Sequence, residues 1–443
     1  MRSDELDYQR AVQAYLWAVP TVNAIEFWRA LLDAGVSPIH PSLLVFDHPL
    51  AAAPADPAVG TKMIYAFTVL DLALTGPIVA EVPAGFQGNF WDFHHHGLQE
   101  IGSGASAQGG RFLLLAPGQD AAVAPTDTIV VRSGTRRIFG GGRCILKAGD
   151  SADEFIDLVA GIKLYPLRRA DDPPPTRIVL NRDRPFVQDW PKGIRYFHYL
   201  AEELPIVSDD ALDRTMHQML APLGIAPGRP FTPDDRMRRI LCDAAAAGAA
   251  IVTTTGFAAR LHGRQVWSDR QWERNFFPTR PEADSGTAAS DGDRAQGWYQ
   301  VVGDGRYVFA STLKPGEAQW YSSTFHDRHG SCFDGSHSYR FTLPAGGPRR
   351  LRWSMTLYDD RDGSVIDTDG RWADPSQRAT LGMNGDGDGK TELWFAPRAP
   401  GTAPGNWIRT TPGQAFFATF RLYGPLDLVL DATWKLNDVE KVD

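Results

Sequence analysis

A chain of 443 residues with a net charge of −8 and no basic run excludes nucleic acid as its main partner. Its 43% hydrophobic and 22% charged residues belong to a globular protein too long for one core, so two or three domains are expected. No apolar run is long enough to span a membrane, and Cys144, Cys242 and Cys332 are too few and too scattered for a disulfide framework.

The acidic start, Met1-Arg2-Ser3-Asp4-Glu5, lacks the apolar core of a secretory signal, so a cytoplasmic location is expected. Residues 4–34 then carry apolar side chains at helical spacing, among them Tyr15, Leu16, Phe27, Trp28 and Leu31. Pro20 is expected to kink this segment or split it into two helices, and Gly35 to end it. From Met63 the pattern changes to β runs, at 63–72, 77–82, 88–98, 111–115, 128–132 and 137–148. Gly140-Gly141-Gly142 opens no helix and is read as a hairpin turn rather than a phosphate cradle. Ser151-Ala152-Asp153-Glu154 is a capping box for a helix reaching about Lys163.

Ala170 to Pro175 is an acidic, Pro-rich linker. Ser208-Asp209-Asp210 and Thr232-Pro233-Asp234-Asp235 each open a helix beyond it, the second with Thr232 as N-cap and Pro233 at the first helical position. Residues 279–297, rich in Gly, Ser and Asp, are expected to form a mobile loop. The C-terminal part returns to β runs at 306–312, 337–343, 351–358, 391–396, 415–422 and 427–434. The expected architecture is mainly β and multi-domain: 1–170 with leading helices and a β-sandwich, 171–297 a helical middle, and 298–443 a jelly-roll β-sandwich.

The stretch Asn89-Phe90-Trp91-Asp92-Phe93-His94-His95-His96-Gly97-Leu98 carries the chemistry. Read as one strand, it places Asp92, His94 and His96 on one face, and Trp91, Phe93 and His95 on the other. Three readings stay open. The histidines are hydrogen-bonded packing; or His94 transfers protons, oriented by Asp92, with His96 as a second polar contact; or His94 and His96 hold a metal ion with a carboxylate. Tyr65 and Glu100 are candidate ligand contacts. No Gly-x-Ser-x-Gly elbow supports a serine nucleophile, and Asn384 to Lys390 starts like a calcium loop but offers Phe395 where a closing Glu belongs.

Trp353-Ser354-Met355-Thr356-Leu357-Tyr358-Asp359, Asn406-Trp407 and Phe420-Arg421-Leu422-Tyr423-Gly424-Pro425 resemble the bacterial domain of unknown function 1214. Tyr15-Leu16-Trp17-Ala18-Val19-Pro20, Leu70-Asp71-Leu72 and Leu114-Leu115-Ala116-Pro117-Gly118 are similar to its usual N-terminal partner, domain 1254. The resemblance implies two β-sandwiches around a helical middle and brings no reaction with it. Where relatives carry Asp-x-Tyr-Thr-Asn, this chain reads Asp92-Phe93-His94-His95-His96, the mark of a specialised member.

The function expected is an enzyme acting on a small, apolar or aromatic molecule by cofactor-independent acid–base chemistry of the lyase, isomerase or cyclase type, with no resident metal. The alternatives are a non-catalytic binder of small molecules or carbohydrates, and a metal-dependent enzyme using His94 and His96. A small-molecule ligand is the expected partner, nucleic acid and membrane are not, and self-association into a homo-oligomer stays open.

Overall fold

The computed structural model describes residues 2–46, 63–94, 97–102, 109–120, 126–145, 152–182, 186, 189–204, 211–257, 265–274, 319–344, 349–360, 366, 391–401, 407–425 and 427–443. The expected loop at 279–297, the strand at 306–312 and the turn at 384–390 lie outside them. The chain divides into two compact units, with the boundary between Val252 and Thr253.

The first unit begins with α1 (Arg2–Asp33). Ala11, Ala14, Ala18, Val22, Ala24, Ile25 and Leu31 are all buried, so the helix is packed around its whole circumference rather than along one stripe. Pro20 sits inside it without splitting it into two helices, one of the two outcomes the sequence suggested. Packing on all sides supplies the stability that the missing N–H removes. Gly35 ends the helix at φ 97°, with Gly35 N donating to Leu32 O and Val36 N to Leu31 O, a Schellman closure.

Two sheets follow and pack face to face. The first has the order β10 (Arg177–Leu180), β1 (Ser42–Val45), β2 (Met63–Asp71), β8 (Arg137–Ile145), β4 (Gln87–Asp92) and β5 (Gly97–Ile101). The second runs β7 (Thr128–Arg132), β6 (Gly110–Leu115), β3 (Ile78–Val82) and β9 (Lys163–Pro166). Leu70, Phe90 and Ile138 from the first sheet meet Ile78, Phe112 and Leu114 from the second in one core. The first sheet's outer face packs against α1, where the Phe27 ring lies 5.2 Å from Phe67 and 5.7 Å from Phe139.

Two expectations fail in this sheet. The strand expected over 88–98 ends at Asp92 and restarts at Gly97, so it is a hairpin, not one strand. The Asp92 carboxylate accepts from the His94 backbone N–H at 2.9 Å, an Asx-type turn that takes the chain out of the ladder. Gly140-Gly141-Gly142 is not a turn either, but the middle of β8, paired with β2 on one side and β4 on the other. A Cβ on Gly141 would stand 2.2 Å from Phe67 Cδ1, and one on Gly142 2.3 Å from the Gln87 carbonyl oxygen. The glycines let aromatic rings and backbone lie flat across the sheet.

After α2 (Leu72–Thr75) and α3 (Ala152–Ala160), the unit closes with α4 (Ile194–Glu203), α5 (Ala211–Leu220) and α6 (Asp235–Phe257). The helical residues from Ile194 to Val252 belong to this unit, with α4 and α5 packed on α1. Tyr15 stacks on Tyr196 at 3.9 Å. The N-cap of α6 is Asp234, whose Oδ1 accepts from Met237 N at 2.7 Å; Thr232 and Pro233 precede the helix.

The second unit is a two-sheet β-sandwich. One sheet orders β11 (Glu273–Arg274), β12 (Gln319–Thr324), β18 (Ala415–Pro425) and β13 (Phe333–Asp334), with β15 (Arg349–Asp359) also on β18. The other orders β17 (Trp407–Arg409), β16 (Thr391–Ala396), β14 (Tyr339–Leu343) and β19 (Glu440–Lys441). Trp272, Trp353 and Phe420 meet Phe341, Leu393 and Phe395 between them. The strand expected over 427–434 is instead opened by the short helix α7 (Asp427–Leu430), with Asp427 in its first turn.

Candidate functional site

His94 stands in the turn after β4, with only 6% of its surface exposed. Its Nδ1 is 2.7 Å from Thr21 Oγ1, a hydroxyl likewise buried in the middle of α1. Which atom donates depends on the imidazole tautomer. Trp17, one helical turn before Thr21, places its ring 6.0 Å from the imidazole and also meets His217 of α5 edge-on at 6.0 Å.

The turn is clamped from several directions. Phe93 N donates to Thr135 Oγ1 at 3.0 Å, and that hydroxyl donates to the Arg137 carbonyl at 2.7 Å. The Phe93 ring packs 5.6 Å from Trp28 and 6.0 Å from Phe139. Arg137 lies over the Trp28 ring at 4.4 Å and pairs with Asp71 at 3.3 Å. A histidine fixed at both its backbone and its ring has a single orientation, as proton transfer to a defined atom requires.

The alternation expected for this stretch does not hold beyond Asp92. Phe90 faces the sandwich core, Trp91 stacks on Phe139, and the turn carries Phe93 and His94 to the α1 side together. His94 therefore shares its side with Trp91 and Phe93 instead of opposing them. Asp92 is fully buried and bonds the backbone N–H of His94. His95 and His96 lie outside the described residues, so the three-membered Asp92/His94/His96 face and the two-histidine metal site do as well. Among the described residues, no group of three or more His, Cys, Asp or Glu side chains could hold a metal ion.

Tyr65 and Glu100 fall on the same sheet side by register. Tyr65 pairs with Arg143, and Glu100 with Asn89, two residues from Trp91. Tyr65 stacks parallel on Phe67 at 5.8 Å. Five residues of β8 separate the level of Tyr65 from that of Asp92, roughly 17 Å. Tyr65 is thus remote from His94, whereas Glu100 is only three residues of strand, about 10 Å, from the level of Asp92.

Thr21 and Trp17 are the site residues that sequence reasoning missed. They lie in and just after the Tyr15-to-Pro20 motif, which was the available signal. A second polar feature lies in the other unit, a cleft of about 470 Å³ lined by Arg270, Arg328, Arg340, Glu392, Asp438 and Glu440. Glu440 ties Arg328 at 2.8 Å and Arg340 at 2.9 Å, which holds its carboxyl below the usual range, chiefly through the Arg340 bond. Its charges are balanced internally, which favours a structural network.

The models of two families of proteins of unknown function match the chain, DUF1254 over residues 47–166 and DUF1214 over residues 318–427. The chain carries both domains in tandem. Asp92 and His94 belong to the 1254 domain, while Thr21 and Trp17 come from the helix before its matched span. The VPA0106 protein from Vibrio parahaemolyticus has a similar structure, with TM-score 0.59 at 17% identity, covering 99% of this chain and 100% of that one. That likeness shows the fold. A Burkholderia cenocepacia protein aligns at TM-score 0.40 and 10% identity, over 100% of this chain and 95% of that one. No curated protein matches the chain. Among the described residues, no helix is long and apolar enough to cross a membrane.

Proposed function

We propose that this tandem-domain protein is an enzyme that moves protons on a small, apolar or aromatic molecule without a cofactor, in a lyase, isomerase or cyclase type of reaction. The observation that carries the reading is the buried bond of 2.7 Å between His94 Nδ1 and Thr21 Oγ1. It holds one ring nitrogen and so orients the imidazole, which sets the direction in which the other nitrogen acts. His94 is the proton-transfer group, Thr21 sets its ring, and Asp92 sets its backbone. Glu100 on the same sheet side is a further polar contact, with Tyr65 more remote, and His96, outside the described residues, keeps the second polar role that the sequence suggests. The rings of Trp17, Trp28, Trp91, Phe93 and Phe139 around the turn suit an apolar partner. Widely spaced cysteines, with Cys242 and Cys332 unbridged, suit a cytoplasmic setting.

The aromatic array also favours a second reading, a non-catalytic binder of small apolar molecules. The two separate in one experiment. A panel of small aromatic and apolar compounds is screened for thermal stabilisation of the full chain, and each hit is followed for conversion by mass spectrometry in wild type and His94→Gln. Conversion that falls by on the order of 100- to 10,000-fold in a folded His94→Gln supports the enzyme. Conversion unchanged by the substitution overturns it, and hits that are bound but never converted favour the binder.

A further inference from the structure

The sheet of β17, β16, β14 and β19 turns one face to the sandwich core, where Phe341, Leu393, Ile408 and Val439 are buried. Alternation then puts Thr342, Arg340, Glu392, Trp394, Trp407 and Glu440 on its outer face. Register lines four of these up across the four strands. Trp407 stands beside Trp394, Trp394 opposite Arg340, and Arg340 opposite Glu440. The row crosses three strand spacings, about 14 Å. Both tryptophans are half-buried, and the Arg340 guanidinium lies 6.0 Å from the Trp394 ring.

The polar end of this row lines the cleft of about 470 Å³, a volume usual for small-ligand sites. Its charged walls stay accessible, since the side chains of Arg328, Arg340, Glu392 and Glu440 are 35–54% exposed. The bonds within the lining hold these walls in place. Glu440 ties Arg328 and Arg340, Asn437 Nδ2 donates to the Thr342 carbonyl at 2.9 Å, and Gln271 N donates to Asp438 Oδ1 at 2.8 Å. They fix the lining and leave the space inside it open. Glu392 Oε1 stands 3.9 Å from Arg340 Nη1, beyond hydrogen-bond reach, so this wall offers an acceptor close to a donor.

The composition of the lining selects the ligand. Three arginines face three carboxylates, Glu392, Asp438 and Glu440, so the cleft draws in neither anions nor cations by net charge. Adjacent planar donors and acceptors suit hydroxyl groups, each of which both donates and accepts. The tryptophans supply apolar ring faces of negative potential, which suit the C–H face of a sugar ring. We propose that the cleft and the two tryptophans beside it bind a neutral oligosaccharide, one sugar ring against Trp394 and the next hydroxyls among Arg340, Glu392 and Arg328. The site stands apart from His94 and does not depend on the reaction proposed there.

The full chain is titrated with cellohexaose, xylohexaose, laminarihexaose and maltohexaose, and with oligogalacturonate as a charged counterpart, by calorimetry and saturation-transfer NMR. At least one neutral oligosaccharide should bind, and more tightly than oligogalacturonate. Trp394→Leu keeps an apolar side chain but loses the ring, and should weaken binding by about tenfold, whereas Trp394→Phe should stay within about threefold of wild type. Glu392→Gln, at a half-exposed position, should weaken it several-fold. Melting curves show which variants are folded, and Glu392→Gln decides should Trp394→Leu not fold. Binding of none of the neutral oligosaccharides, binding of oligogalacturonate alone, or binding unchanged in the folded variants overturns the proposal and leaves the cleft as a structural network of ion pairs.

Discussion

His94 Nδ1 and Thr21 Oγ1 are 2.7 Å apart although 73 residues of chain separate them. The contact joins the hairpin turn of the first sheet to the middle of α1, so the histidine's orientation depends on a helix outside its own domain match. A partner this far away in sequence ties the site's geometry to the docking of α1.

Thr21→Val removes the hydroxyl and keeps the shape. With His94 buried, the loss should cost about 1–3 kcal/mol, because an imidazole nitrogen is left without that bond in a dry site. Urea unfolding of Thr21→Val, His94→Gln and the double variant gives the coupling between the two side chains. A coupling below about 0.5 kcal/mol would mean that the bond does not organise the turn.

Asp92→Ala and Asp92→Asn should differ. Asn keeps an oxygen for the His94 N–H and should stay near wild type in stability, whereas Ala opens the turn and should lose on the order of 1 kcal/mol. If activity follows the same order as stability, Asp92 acts through turn geometry. Full activity in the Ala variant would show that His94 keeps its place without the carboxylate.

Gly141→Ala places a methyl where the Phe67 ring already lies. Overpacking at the centre of a sheet should destabilise by about 1–3 kcal/mol, and pairing the change with Phe67→Leu should recover part of it. A melting curve of Gly141→Ala that overlays wild type would contradict the close packing of this sheet face.

Two glutamates should impose opposite pH slopes on stability. Burial raises the Glu26 carboxyl, so the folded state holds its proton more tightly than the unfolded chain. Its contribution is complete below the unfolded value and is lost as pH rises through the folded one. The Glu81 carboxyl is lowered, first by the Tyr165 hydroxyl that donates to it at 2.7 Å, and it acts in reverse, its contribution present above the unfolded value and lost as pH falls. Chemical unfolding from pH 3 to 8 should therefore show Glu26→Gln gaining on wild type toward high pH, and Glu81→Gln losing ground there. Burial, and then the same bond to Glu81, pushes Tyr165 up to about 12.

The periodic parts of the fold were readable and the local exceptions were not. Strands at 63–72, 111–115 and 391–396 show themselves through β-branched and apolar runs, and the structure puts β2, β6 and β16 there within a residue or two. The break at Asp92 was hidden because its cause is one side-chain-to-backbone bond, while Phe93 and His94 look as strand-like as what precedes them. The three glycines misled for a related reason: what needs them is Phe90 against Gly140, Phe67 against Gly141 and the Gln87 carbonyl against Gly142, all on neighbouring strands that no local window contains. His94 could be singled out by residue type, but its face and its partners are set by α1. Arg421 and Tyr358 stood inside the most specific motifs, yet only the sheet register brings them together on one buried face.

The all-round burial of α1 has a consequence for synthesis. The partners of this helix come late: Tyr196, whose hydroxyl donates to the Tyr15 carbonyl, follows by 181 residues, and Arg236, which holds Asp7, by 229. At about 5–20 residues per second, the helix leaves the ribosome on the order of 10 to 45 seconds before its last contact exists. Throughout that interval the face of α1 that meets α4 and α6 has no interior to enter, although its Phe27 and Trp28 already have the first sheet, which makes that face of the nascent helix a binding segment for holding chaperones until α4 and α6 have been made.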